Sequence, residues 1–232
     1  MIWIELLGPS GIGKSYIYKK LLERDAVRPA EYIGCPNNWL TNSNLAKSYI
    51  ARKFYRELHN FKFKEENIDI LTKKVFQDGL NTYTDDIKIK DKMFQYYQYK
   101  FKEIKYLSDK LKSNDIFFSE DGILHLNYGV TAENIKEILR PDFIINLTAS
   151  DEFINQNRLK RIAGNESNII EQQTSEEELQ KVVFPKNIAL YKKKVNVLRE
   201  FYKNNFFELN IQDQPSEMII QKIEEIIKWI KN

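Results

Sequence analysis

Gly8-Pro9-Ser10-Gly11-Ile12-Gly13-Lys14-Ser15 sets glycines, a lysine and a hydroxyl at the spacing G-x-x-x-x-G-K-[ST]. Glycine lets the backbone wrap closely round an anion so that successive N–H groups point at it, and a helix opening at Lys14 would add the positive end of its dipole. A lysine at this position reaches the β- and γ-phosphates of a triphosphate. The Ser15 hydroxyl suits Mg²⁺, which prefers oxygen ligands in octahedral geometry and keeps several waters. Gly8, Ser10, Gly11, Ile12, Gly13, Lys14, Ser15 and Tyr16 are therefore expected to contact a nucleoside triphosphate with its magnesium, MgATP or MgGTP. No Asn-Lys-x-Asp guanine-recognition sequence occurs, which favours ATP. A chance match in a glycine-rich turn is disfavoured because an apolar run precedes the motif and a helical pattern follows it.

A second group of polar residues lies downstream. Glu120 and Asp121 follow the apolar run Ile116-Phe117-Phe118, where a carboxylate can position Mg²⁺ or accept a proton from an attacking hydroxyl. Either can serve, with Glu120 the expected metal partner of Ser15; a solvated acidic turn is the alternative. Arg158 and Arg161 are three apart and share a helix face, from which they can neutralise charge on a transferred phosphoryl group. The competing reading is an ordinary solvated face. His125 can contact substrate, but it has no partner at metal-ligand spacing and His59 is distant, so a structural histidine is the simpler reading.

These residues need elements to hold them. Met1–Leu7 reads as an apolar strand charged only at Glu5, and Lys14–Glu23 as a helix. A short strand is expected at Ala30–Gly34, before the break Cys35-Pro36-Asn37-Asn38. Residues 43–112 have helical spacing, with breaks expected near Asn60, near Gly79 and at Thr84-Asp85-Asp86, and form an insertion on the substrate side. In it Lys92, Tyr96, Tyr97, Tyr99 and Lys100 offer stacking surfaces and cations, although helix packing explains them better and nucleic-acid binding ranks below that. Strands follow at Asp115–Ser119, Phe143–Leu147 and Phe206–Leu209. Between and after them come a helix over Ala132–Leu139 capped by Thr131, one opened by Ser150-Asp151-Glu152, a long one running to Lys203 past an interruption at Pro185, and a last one over Pro215–Ile230. Gly164 to Gln173 is a polar flap, and Thr174-Ser175-Glu176-Glu177 has capping-box spacing. Strands alternating with helices imply a mainly parallel α/β sheet. With neither repeat nor Gly/Ser linker, residues 1–232 are expected to share one core.

Composition excludes several classes. Lys and Arg total 36 against 33 acidic residues, scattered along the chain, so no dedicated nucleic-acid or membrane surface is declared. A single cysteine, Cys35, rules out an intramolecular disulfide framework. The first residues lack the pattern of a signal peptide and no apolar run is long enough to span a bilayer, so a cytoplasmic protein is expected.

The order of P-loop, helical insertion, strand ending Ser119-Glu120-Asp121-Gly122, Pro141-Asp142-Phe143-Ile144-Ile145-Asn146-Leu147 and Arg158-Leu159-Lys160-Arg161 resembles the P-loop nucleoside and nucleotide kinases, especially the thymidylate-kinase-like group. The resemblance implies a three-layer fold on a five-stranded parallel sheet in order 2-3-1-4-5. It also implies a lid near 158–178 that brings Arg158 and Arg161 over ATP, and an adenine site near Gln212-Asp213-Gln214. The chain departs from thymidylate kinases where they carry Asp-Arg-aromatic, and it lacks their Pro- and Gly-rich substrate loop. The expected function is therefore an ATP-dependent kinase acting on a nucleoside, nucleotide, sugar or similar small acceptor. A nucleotide-switched protein acting through a partner is the alternative, and a homodimer is left open. A sulfotransferase is disfavoured by the intact Gly13-Lys14-Ser15.

Overall fold

A computed structural model describes residues 1–24, 26–27, 70–111, 115–120, 122–164 and 175–231. The strand expected at Ala30–Gly34, the first part of the insertion, Cys35, His59, Asp121 and all of the flap except Gly164 lie outside the described residues.

Among the described residues four strands form a parallel sheet: β1 (Ile2–Leu7), β2 (Ile116–Ser119), β3 (Phe143–Thr148) and β4 (Phe206–Asn210), in the order β2-β1-β3-β4. The parallel α/β sheet expected from the sequence is present; the fifth strand expected, at Ala30–Gly34, is not among the described residues. Its helices are α1 (Lys14–Glu23), α2 (Ile70–Tyr83), α3 (Ile87–Lys110), the single turn α4 (Ile123–Leu126), α5 (Asp151–Ala163), α6 (Phe184–Tyr202) and α7 (Ser216–Lys231).

Alternation along the strands assigns the two faces. Ile4, Leu6, Phe118, Ile145 and Leu147 pack with Ile17 and Leu21 of α1 and with Ile219, Ile220 and Ile223 of α7. Trp3 and Phe117 turn the other way, onto Phe76 of α2 and Tyr97 and Phe101 of α3, while Leu7 and Ile144 meet Leu124 and Leu198. Both faces of β1 are thus buried, as a central parallel strand requires. β1 lies between β2 and β3, in register Glu5 to Ser119 and Glu5 to Ile144. Tyr97 stacks on Phe76 at 3.6 Å and donates its hydroxyl to the Thr72 carbonyl, a packing role. Lys92 and Tyr96 are exposed, and the Tyr99 side chain lies outside the described part.

Local chemistry overrides the expected boundaries at several places. Gly79 does not break α2; a Cβ there would stand 2.3 Å from the Gly129 nitrogen, so the glycine permits close approach of the 128–129 turn. The Thr84-Asp85-Asp86 break is present, with the Asp86 carboxylate capping α3 through Lys88 and Ile89. Residues 132–137 form turns and not the expected helix. Thr131 Oγ1 does accept the Asn134 N–H and the Asn134 side chain accepts from Thr131 N, the reciprocal pair of a helix cap, and the Ile135 N–H reaches the Thr131 carbonyl; the residues that follow nonetheless stay in turns, with the Asn134 side chain also donating to the Gly129 carbonyl. Ser175 is the N-cap of the turn Glu176–Glu178, one residue later than the Thr174 to Glu177 spacing implies. Before Pro185, Leu179–Val183 winds as a π-helix. Proline has no N–H to give back along the helix and its ring crowds the preceding turn, so the path widens there and continues as α6.

Candidate active site

The loop Gly8–Ser15 joins β1 to α1 at the C-terminal edge of the sheet. Gly11 (φ +88°) and Gly13 (φ +95°) are left-handed, and Gly13 caps α1. Ile12 is buried and holds the loop to the α1 face of the core, so any ligand contact it makes is through its backbone. Lys14 folds back over the loop and donates from Nζ to the Gly8 carbonyl at 3.0 Å. Ser15 is exposed. Tyr16 stands half-exposed on α1, with Lys20 Nζ 6.0 Å from its ring centroid.

The two glycines are needed for different reasons. A Cβ at Gly13 would meet nothing within 4 Å, so Gly13→Ala should cost only its left-handed backbone, about 1–2 kcal/mol. At Gly11 the same atom would stand 2.5 Å from Arg158 Cγ and 3.2 Å from the Ile154 carbonyl. Gly11→Ala should therefore lower the melting temperature further than Gly13→Ala; equal shifts would contradict the close packing of α5 on the loop.

Ser150 caps α5 through the Phe153 N–H, and the helix delivers its polar side to the loop. Arg158 and Arg161 take different positions on it. Arg158 is buried, its guanidinium 3.7 Å from the Phe184 ring centroid, and it supports the loop beneath Gly11. Arg161 reaches the loop surface and donates to Ser10 Oγ at 3.2 Å. A cleft of about 640 Å³ opens over the loop. Lys160, Arg161 and Asn157 of α5 line its β3 side, and Glu120 and His125 line its β2 side. Ser15 and Glu120 therefore border one space, whereas Asp121 falls outside the described residues. Asn157 and Lys160 come to the cleft unannounced by any motif; each sits one residue before one of the expected arginines, on the same helix. His125, expected to be structural, is brought to the cleft by tertiary packing. The loop after β4 reaches the same sheet edge, where Gln212 accepts the Ser150 N–H.

Two buried residues behind the cleft are likewise unannounced by any motif. Glu5 is fully buried in β1 and accepts the N–H groups of Leu124 and His125 at 3.3 and 2.7 Å. Lys194 on α6 is 2% exposed and donates to the carbonyls of the same two residues at 2.7 and 2.8 Å. Burial pushes the Lys194 ammonium down to about 7; Glu5 opposes the shift and Lys14 adds to it. Both left a signal in the sequence. Glu5 is the lone charge in an apolar strand, and Lys194 falls on the apolar stripe of α6 with Tyr191, Val195 and Leu198.

Among the described residues no group of three or more His, Cys, Asp or Glu could hold a metal by itself. No helix of the described residues is long and apolar enough to cross a membrane. Neither a protein-family model nor a curated protein matches the chain.

Proposed function

We propose that this chain is an ATP-dependent small-molecule kinase, transferring the γ-phosphoryl group of MgATP to a hydroxyl or phosphate of a nucleoside, nucleotide, sugar or similar metabolite. One observation carries the reading: a left-handed glycine loop ahead of α1 opens on a cleft with cations along one side and a carboxylate and an imidazole along the other.

Phosphoryl transfer asks a protein mainly to position and to neutralise charge. The loop N–H groups and the start of α1 would cradle the phosphates, while Lys14 exchanges the Gly8 carbonyl for phosphate oxygens. Arg161 and Lys160, from the β3 side, face charge that spreads over the transferred group, and Arg158 holds the loop from behind. Magnesium commonly binds through one or two protein oxygens plus phosphates, a donor set that Ser15 and Glu120 fit; held there, it would neutralise charge across the phosphate oxygens. Glu120 or Asp121 would orient or deprotonate the acceptor hydroxyl. By the kinase resemblance, the base would lie near Gln212-Asp213-Gln214.

The test is a coupled ADP-release screen over nucleosides, nucleotides, sugars and amino-alcohols, beside a Lys14→Ala control. Acceptor-dependent ADP that disappears in the control supports the reading. A signal surviving in the control points to a contaminant, and silence with every acceptor shifts weight to a nucleotide-driven switch. With an acceptor in hand, amide replacement of whichever carboxylate serves as base should lower kcat by roughly 10²–10⁴-fold. Unchanged turnover in both Glu120→Gln and Asp121→Asn would remove these residues from the mechanism.

A further inference from the structure

Two buried charges that no step of the transfer uses meet on a single turn of helix. Glu5 takes the N–H groups of Leu124 and His125, and Lys194 gives hydrogen bonds to the carbonyls of the same residues. A helix as short as α4 has no stability of its own, so its placement comes from such outside bonds. The chain entering α4 also runs directly over the carboxylate: a Cβ at Gly122 would stand 2.2 Å from Glu5 Oε2. Lys194 is closed in on its far side by Tyr128 and Tyr191, whose ring centroids lie 4.6 and 5.5 Å from its Nζ. Burying charged groups is costly, and apolar side chains of similar volume often serve stability as well or better. A specific geometric task accounts for their use here.

That task is found in what α4 carries. His125 lines the cleft on the β2 side with Glu120, opposite Lys160 and Arg161. Cations on the β3 side suit phosphates, whereas an imidazole beside a carboxylate suits a hydroxyl-bearing acceptor. We propose that Glu5 and Lys194 are positioning residues that grip α4 by its N–H and C=O groups and thereby set His125 against the phosphoryl acceptor. The grip stands on the contacts themselves; what His125 meets rests on the kinase reading.

The chain has two histidines, His59 and His125, so the ring nitrogen signals of His125 can be assigned against a His59→Gln variant. The variant of choice is the double change Glu5→Gln with Lys194→Met, which strands no single buried charge. Its His125 signals should shift or broaden, while its affinity for MgAMP-PNP stays within about threefold of the parent. For any acceptor found in the ADP-release screen, KM should rise about tenfold or more with KM for MgATP unchanged. His125 signals that stay in place, or nucleotide and acceptor constants that weaken together, would overturn the proposal and leave the pair a purely structural role. A parent protein that binds no MgAMP-PNP would sink the kinase reading; the His125 signals of the unliganded protein would still decide the grip.

Discussion

Replacing Lys14 by alanine is expected to lower kcat/KM for MgATP by roughly 10³-fold or more, about 4 kcal/mol of transition-state stabilisation. The ammonium is held at the mouth of the loop by the Gly8 carbonyl and is largely buried, so little water would need to be removed when a phosphate takes the place of that carbonyl. Charge-assisted hydrogen bonds in such surroundings are stronger than neutral ones, and they strengthen as charge develops on the transferred group. The fold should tolerate the change, because the neighbouring anchors Ile12 and Ile17 stay buried in the α1 face of the core. Steady-state kinetics alongside a melting curve separates the effects. A loss of activity matched by a collapsed melting temperature would mean that Lys14 is needed for folding rather than for the ligand.

Lys194→Met is expected to be the most damaging single change to stability, costing on the order of 3 kcal/mol or more. It leaves the Leu124 and His125 carbonyls without this donor and removes a buried cation from the field of Glu5. Adding Glu5→Gln should recover part of the loss, since the second change removes a stranded charge. Urea unfolding of the parent, both singles and the double variant measures the coupling; a double loss equal to the sum of the singles would show that the groups act independently.

The same residue sets a pH dependence. The Lys194 ammonium titrates near 7 in the native state against 10.5 for an ordinary lysine, so unfolding takes up a proton between those values. Native stability should therefore rise from pH 7 to pH 9, by up to about 1.4 kcal/mol per pH unit from this group, and that slope should be missing in Lys194→Met. Tyr128, Tyr191 and Tyr202, all raised by burial, add a fall in stability only where unfolded tyrosines ionise, near pH 10 and above. A parent slope no steeper than that of the variant would contradict a depressed Lys194.

The described fold was largely legible because its strongest signals are local. The apolar runs of β1, β2 and β3, the Gly13-Lys14 junction, the helix opening at Ser150 and the break at Thr84-Asp85-Asp86 each depend on residues close in sequence, so patterning finds them. Expectations failed where a distant segment decides or where a local start is not carried on. Gly79 reads as a breaker until the 128–129 turn is laid against it, and the Thr131 cap is made but the residues after it stay in turns.

By itself the sequence determined a glycine loop with lysine and serine at phosphate-binding spacing, between an apolar strand and a helix, because that arrangement is written in contiguous residues. Only the tertiary structure decided which side chains share the cleft. Parallel order around β1 puts Glu120 and His125 on one side and Lys160 and Arg161 on the other, and packing of α5 sends Arg158 beneath Gly11 instead. It also decided that Glu5 and Lys194, separated by most of the chain, hold one turn between them. Such contacts are set by chain topology and by the need of buried polar groups for partners, and neither is expressed in local spacing.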